Sequence, residues 1–473
     1  MGFHLRQILI VLMTTAFATA SFCVAMADPG ASTPSAPKKI YYADPVNGSS
    51  VTGLGTKAKP WGSFQSIVDA KMINGSDLAK GKVHAGDVIY LMNGNHGTVS
   101  LWGPAYFNTS FITLQAAPGH KPVMNALSLS NCSRWVIRGL TFENPAVVVQ
   151  RRPLLLAQNS SELIIDANKF RSRADVRQWT SEDWAESSAT YGIFTNKIVN
   201  STISKNSISN VENGIALVGN SILAVNNTVD YFANDGIQFT ASNSVVSRNR
   251  VTNHYGRWNN GYHHDGMQGW TAHDETNTVN VVLDSNVVIA STGVYPEIPA
   301  VPTGDGDDYM QGFTIFDGVW ENLTVTNNVV AAAGFHGMSL YHQNNAKILN
   351  NTVIQQAPAY GTWLGVFGNS QNVIVRNNIA QVFALPQTGV TFDSNLALTT
   401  SWQSWQKSIP VVTNPTAVFA KWSPKTAEFD FRLAPKSYAI GRGSTVSFAP
   451  RDIVYVNRNP LKVDMGAYAY VAK

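Results

Sequence analysis

Six of the ten histidines lie between His254 and His342, and they keep unusual company. The run from His254 to Trp270 carries Arg257, Trp258, Tyr262, His263, His264, Asp265, Gln268 and Trp270. Further on come Asp305, Asp307, Asp308, Gln311 and Asp317, then His336, Tyr341 and His342. An imidazole can take up a proton near neutral pH. A guanidinium or amide such as Arg257, Gln268 or Gln311 can neutralise a bound anion. Trp270, Phe316 and Tyr341 offer flat apolar faces on which a pyranose ring can stack. The candidate catalytic residues are therefore His264, Asp265, Arg257, His336 and Tyr341. The candidate substrate-binding residues are Tyr262, Gln268, Trp270, Gln311, Asp317 and His342. Each has a plainer explanation: a turn residue bonded to backbone, stacking between neighbouring strands, or a solvated loop at Asp305–Asp308. That loop lacks the alternation of an EF-hand or nonapeptide calcium repeat. No cofactor is expected, and Ca2+ is the one metal the aspartates would suit.

The elements that must position these residues show as a repeat. Asn206, Asn227, Asn249, Asn286, Asn328, Asn351 and Asn378 are separated by 21, 22, 37, 42, 23 and 27 residues, and all but the last open an Asn-x-[Ile/Val] unit. A period near 22, stretched at two points, is the signature of a solenoid. Between successive asparagines comes a glycine followed by an alternating apolar strand, at Gly214, Gly236, Gly266, Gly312, Gly337 and Gly361, with Tyr191-Gly192-Ile193-Phe194 opening the series. Alternation of that kind means a strand with one face in a core. No helical periodicity intervenes. The expectation is an all-β chain, a single-stranded right-handed parallel β-helix with an N-terminal cap and a C-terminal covering segment. The asparagines should form a buried ladder, each amide bonding the coils above and below.

The same markers act as a ruler. The two long steps place their extra residues mainly at the corner before the strands at Gly266 and Gly312, as insertions walling a cleft would be. With the glycine strands in register, Gln238/Gln268/Thr314/Ser339 and Thr240/Trp270/Phe316/Tyr341 should be solvent-facing columns. His264/Asp265, Gln311 and His336 precede equivalent glycines and should converge on one edge. Insertions, histidines and aromatics thus coincide on three adjacent coils.

The ends and composition set the context. Arg6, the apolar run Ile8–Met13 and Ala25-Met26-Ala27 read as a secretory signal over residues 1–27. Residues 28–38 read as a linker, and 39–473 as one domain with regular coils over about 130–380 and a packing region over 381–473. That last region is expected to cover the far end of the solenoid. Ser63 should cap a short helix over Ser63–Lys71 that covers the near end. With Cys23 leaving in the signal, Cys132 is alone and no internal disulfide forms. Loss of Arg6 leaves 33 Lys+Arg against 30 Asp+Glu, a net charge near +3. This mild balance suits an acidic substrate and is far from a nucleic-acid footprint. No segment approaches membrane-spanning length, so a secreted or periplasmic monomer is expected.

Ile40-Tyr-Tyr-Ala-Asp44, Lys59-Pro-Trp-Gly-Ser63 and Gly86-Asp-Val-Ile-Tyr90 resemble the opening of pectate-lyase-like β-helix proteins. Phe431-Arg-Leu-Ala-Pro435 and Asp464-Met-Gly-Ala-Tyr468 resemble their close. The resemblance implies an acidic-polysaccharide substrate and one of several reactions. Lyase chemistry on a uronate needs a carboxylate neutraliser (Arg257, Gln268 or Gln311), a base for the C5 proton (His264 or His336) and an acid for the leaving oxygen (Tyr262 or Tyr341). A C5 epimerase would use the same parts. Inverting hydrolysis needs two carboxyls about 6.5–9.5 Å apart. Asp265, Asp307/Asp308 and His336-Gly337 follow the order of polygalacturonase motifs. However, His263-His264-Asp265 replaces the first motif, and the downstream Arg-x-Lys is absent. The expected order is lyase, hydrolase, epimerase, with a non-catalytic polysaccharide-binding or assembly protein as the other class.

Overall fold

The computed structural model describes residues 37–472, apart from 77–80, 145–151, 181, 185–187, 256–262, 272–276, 294–308, 357–360, 387, 400–408, 424–425 and 427. The signal-peptide reading, most of the linker, Arg257, Tyr262 and Asp305–Asp308 lie outside these residues.

Parallel strands wind into a β-helix with three walls. The first wall holds the strands that follow the glycines, among them Ile237–Ser242, Asp265–Gly269, Gln311–Ile315, His336–Tyr341 and Trp363–Phe367. The second holds Val245–Ser247, Val282–Asp284, Thr324–Thr326 and Lys347–Leu349. The third is a twelve-stranded sheet that includes Arg250–His254, Val287–Ile289, Val329–Ala332 and Thr352–Gln355. Val, Ile, Leu and Phe from all three walls fill one continuous interior. Such stacking satisfies every interior strand on both edges, which suits a chain rich in β-branched residues.

The asparagine ladder forms as expected and is longer than the sequence repeat. It runs from Asn168 through the seven to Asn395. Each rung before Asn395 donates its side-chain amide to the next Oδ1 and to a carbonyl of the preceding coil. Asn286 Nδ2, for example, reaches Asn328 Oδ1 at 3.0 Å and Val246 O at 2.9 Å. The residue before each rung turns the corner with a left-handed backbone, as at Arg248, Ser285, Asn327, Asn350 and Asn377. A second, exposed amide ladder, invisible in the Asn-x-[Ile/Val] pattern, links Asn322 to Asn280 and Asn280 to Asn243 at the corner between the first two walls.

The glycine column has a steric cause. At the corner from the third wall to the first, a Cβ on Gly312 would lie 2.0 Å from Gly337 O and 2.3 Å from Val330 Cγ1. The neighbouring glycines meet the same pairing of a carbonyl above and a third-wall valine inside. Only glycine lets the chain bend into the first wall there.

Helix α1, Phe64–Asp69, sits at the N-terminal end with Ser63 as its cap, and it buries Phe64 and Ile67. The C-terminal region departs from expectation. Rather than only covering the far end, its last stretch runs back along the flank of the third wall. Asn377, Asn350, Asn327 and Arg248 engage Ser444, Asp464, Arg458 and Tyr455 in turn. Phe419, Phe431, Leu433 and Met465 pack on the outer faces of Val329, Ile354 and Ile379. The exposed corner polar groups and the apolar outer face of the third wall both needed a partner, and the tail supplies it.

Candidate functional site

The corner before the first wall is where the chemistry collects. Its column of residues preceding the glycines reads Asn213, Asp235, Asp265, Gln311 and His336. Asp265 and Gln311 are register partners, and a bulge displaces the pairing at His336. Within this column Asp235 N–H donates to Asn213 Oδ1 at 3.2 Å, and Asp265 N–H donates to Asp235 Oδ1 at 2.9 Å. The pattern then breaks: Gln311 N–H donates to the His264 carbonyl instead, at 2.7 Å. Asp265 Oδ1 and Gln311 Oε1 are left as buried acceptors without a donor.

Asp265 is fully buried, and its Oδ2 lies 2.5 Å from His263 Nδ1. That contact fixes the tautomer, so the other ring nitrogen of His263 is the one left to act. The His263 side chain is 42% exposed. Its pKa is raised, chiefly by the hydrogen bond to Asp265, with the charges of Asp265, Asp235 and Asp317 adding to it against the cost of burial. Asp235 is pushed up to about 7 by burial and by the neighbouring Asp265 charge, against the hydrogen bond that Gln238 Nε2 donates to its Oδ2 at 2.7 Å.

His264 takes a different place from the one its sequence neighbourhood suggests. Successive residues at this corner point apart, and His264 is buried, its Nδ1 3.2 Å from Asn234 Oδ1 and its ring 5.0 Å from that of His254. His254 is itself buried, held neutral by burial and by the positive charge His264 can carry. His263, absent from the expected set, occupies the open side instead. Asp235 was also missed; its position before Gly236, matching Asp265 before Gly266, was the available signal.

An aromatic rim adjoins His263. Phe316 lies edge-on to His263 at 5.2 Å, to His336 at 5.0 Å and to Tyr341 at 5.6 Å. Tyr341 stacks on Phe367 at 4.7 Å, and Trp363 closes on His336 at 5.0 Å. His336 Nδ1 and Trp363 Nε1 both bond Ser339 Oγ at 2.8 Å. Burial and the nearby positive His263 lower His336 to about 4, so it is neutral through the physiological range. Gln268 and Trp270 are half-buried on the neighbouring coil, and Asp317 is exposed beyond Phe316. His342 sits at the opposite end of its strand, accepting the Asn369 N–H, away from the His263 corner. The register Gln238/Gln268/Thr314/Ser339 is as expected, but Thr314 and Ser339 are fully buried rather than solvent-facing, Ser339 being held under His336 and Trp363.

A small separate apolar cluster lies next to Asn234 and Asp235 in the chain. Val176 and Trp184 pack on Ala233 and Tyr255, with Trp184 and Tyr255 stacked at 4.9 Å. Among the described residues no group of three or more His, Cys, Asp or Glu side chains is arranged to hold a metal ion.

A family model described as a right-handed beta helix region matches residues 125–296. The chain is a right-handed parallel β-helix. This is the fold of the superfamily that its opening and closing motifs resemble. Among solved structures, the complex of XylC with xylose aligns with a TM-score of 0.55 at 10% identity, covering 92% of this chain and 99% of that one. Pectate lyase Pel9A aligns at 0.47 and 14%, covering 92% and 97%. The Azotobacter vinelandii mannuronan C-5 epimerase AlgE6 A-module aligns at 0.44 and 14%, covering 72% and 94%. No curated protein sequence matches significantly. At these identities the likeness concerns the winding of the chain alone. No helix among the described residues is long and apolar enough to cross a membrane.

Proposed function

We propose that the chain is an exported polysaccharide lyase that cleaves a uronate-containing polymer by β-elimination, with His263 as the base. One observation carries this reading: a half-exposed imidazole whose Nδ1 is held by a buried carboxylate at 2.5 Å, beside an aromatic rim. With Nδ1 engaged, Nε2 takes the C5 proton of a sugar stacked against Phe316 and Tyr341. The C5–H electron pair becomes the C4–C5 double bond, and the C4–O bond breaks. A proton from Tyr341 or Tyr262 then satisfies the leaving oxygen. The Gln311 and Gln268 amides, with Arg257, are the groups proposed to neutralise the uronate carboxylate. The XylC relative, solved with xylose, fits a saccharide as the ligand class.

Inverting hydrolysis asks for two carboxyls that face the substrate across a water. Asp235 and Asp265 are both buried behind His263, which weighs against that reading. The test is incubation with a panel of acidic polysaccharides, with and without chelator, following ultraviolet absorbance of unsaturated uronate and reducing ends together. Absorbance that is lost in His263→Ala supports the lyase. Reducing ends without absorbance would overturn it in favour of hydrolysis.

A further inference from the structure

We propose that Asp235 is a positioning residue for His263: its carboxylate holds the Asp265 backbone, and through Asp265 it sets the charge and orientation of the imidazole. This rests on the lyase reading for its catalytic consequence, although the coupling itself is independent of the substrate.

The column supplies the comparison. On the preceding coil the same task, accepting the next coil's N–H, is done by Asn213, a neutral amide. An asparagine at 235 would serve the winding equally well. Instead the position carries a carboxylate that is nearly fully buried, one coil from a second carboxylate that is fully buried. Coils stack about 4.8 Å apart, and two like charges at that spacing without water are costly to hold. Nothing in the fold demands the expense.

The groups around the pair are few. Asp235 faces Asp265 through its Oδ1, Gln238 through its Oδ2 and Asn213 at its own N–H. His263 faces Asp265, with Asp235 and Asp317 as the other anions acting on it, and Phe316 at its edge. His336, which lies on the far side of Phe316, adds a repulsive influence only when protonated. Among the described residues His263 is the one cation paired with either buried aspartate. Asp265, backed by the charge that Asp235 carries whenever it is ionised, favours the protonated imidazole and presses Nδ1–H onto Asp265. The proton that Nε2 takes from a substrate therefore meets a stabilising field, and Asp317, being exposed, contributes the more screened share.

The experiment is histidine-labelled NMR titration of the chelator-treated full chain, wild type against Asp235→Asn, with kinetics on the best substrate of the panel. The His263 midpoint should move to lower pH in Asp235→Asn, while the resonances of His96, buried beside helix α1, stay in place. kcat should fall about tenfold with KM nearly unchanged. If Asp235→Asn does not fold, Gln238→Met, which removes only the hydrogen bond to Asp235 Oδ2, should shift His263 in the same direction and less. An unmoved His263 midpoint in a folded variant overturns the proposal. A shifted midpoint with no unsaturated product from any polymer overturns the lyase reading and leaves the coupling standing.

Discussion

Replacing Asn286 by alanine tests what holds the coil of Asp265 against its neighbours. Asn286 is fully buried, and its Oδ1 accepts both the backbone and side-chain N–H of Asn249 at 3.0 Å. Its Nδ2 donates to Val246 O at 2.9 Å and Asn328 Oδ1 at 3.0 Å. Asn249 Nδ2 keeps a second acceptor at Ala224 O, and Asn328 Oδ1 keeps the Asn286 backbone N–H. The groups that suffer most are therefore the Asn249 N–H and the Val246 carbonyl. A buried polar group deprived of its partner costs about 1–3 kcal/mol, so Asn286→Ala should cost about 2–6 kcal/mol. Asn280 makes a comparable inter-coil amide contact, 2.8 Å to Asn243, but at the exposed corner. There water replaces the lost bond, and the cost of Asn280→Ala is about 1 kcal/mol, mostly from the left-handed backbone at φ 56°. Denaturant unfolding followed by tryptophan fluorescence and circular dichroism measures both. Equal destabilisation by the two substitutions would refute the claim that burial gives the ladder its strength.

Other expectations follow from the corner and the tail. Asp265→Asn should leave a folded protein whose activity falls about 10²–10⁴-fold, because His263 Nδ1 loses its anion; steady-state kinetics on the responsive polymer read this directly. The folded-state pKa of His336 is lowered from 6.5 to about 4, so the folded protein resists its protonation and stability should drop as pH falls through that window. His336→Gln should flatten that acid limb in unfolding measured between pH 7 and 4, with His263, raised when folded, contributing in the opposite sense. Gly312→Ala should destabilise strongly, its Cβ meeting Gly337 O at 2.0 Å, whereas Gly361→Ala meets nothing within 4 Å and should be nearly neutral in thermal unfolding. Arg458→Ala should loosen the tail, since its guanidinium bonds Asn327 Oδ1 and the Gly466 and Ala467 carbonyls; earlier proteolysis of the C-terminal region is the readout.

The winding was legible in the sequence because it repeats through single residue types. Asn in a buried rung and Gly at a crowded corner have no substitutes of equal fit, so they survive as a readable period. The meeting of His263, Phe316, His336 and Tyr341 on adjacent coils was legible for the same reason, through the stretched steps. The choice between His263 and His264 was not. At a corner, side-chain direction follows local backbone turns rather than a period of two, and His264 turns inward to His254. Asp235 lay on a coil of ordinary length, where no insertion drew notice. The path of the tail escaped because the groups by which it meets the corner residues Arg248, Asn327, Asn350 and Asn377 follow no repeat: Tyr455, Arg458, the Asp464 carbonyl and the Ser444 carbonyl.

The tail has a temporal consequence. A chain synthesised from its N-terminus can wind coil upon coil as it emerges, each coil needing only the one before it. The flank from Asn377 back to Arg248 stays open until Arg458 and Asp464 have been made, because they are what close it. The coils bearing Asp265, Gln311 and His336 lie within that span. Their fastening thus waits on a segment made well after them, and a chain lacking Arg458 and Asp464 would carry every residue of the site on an unlatched frame.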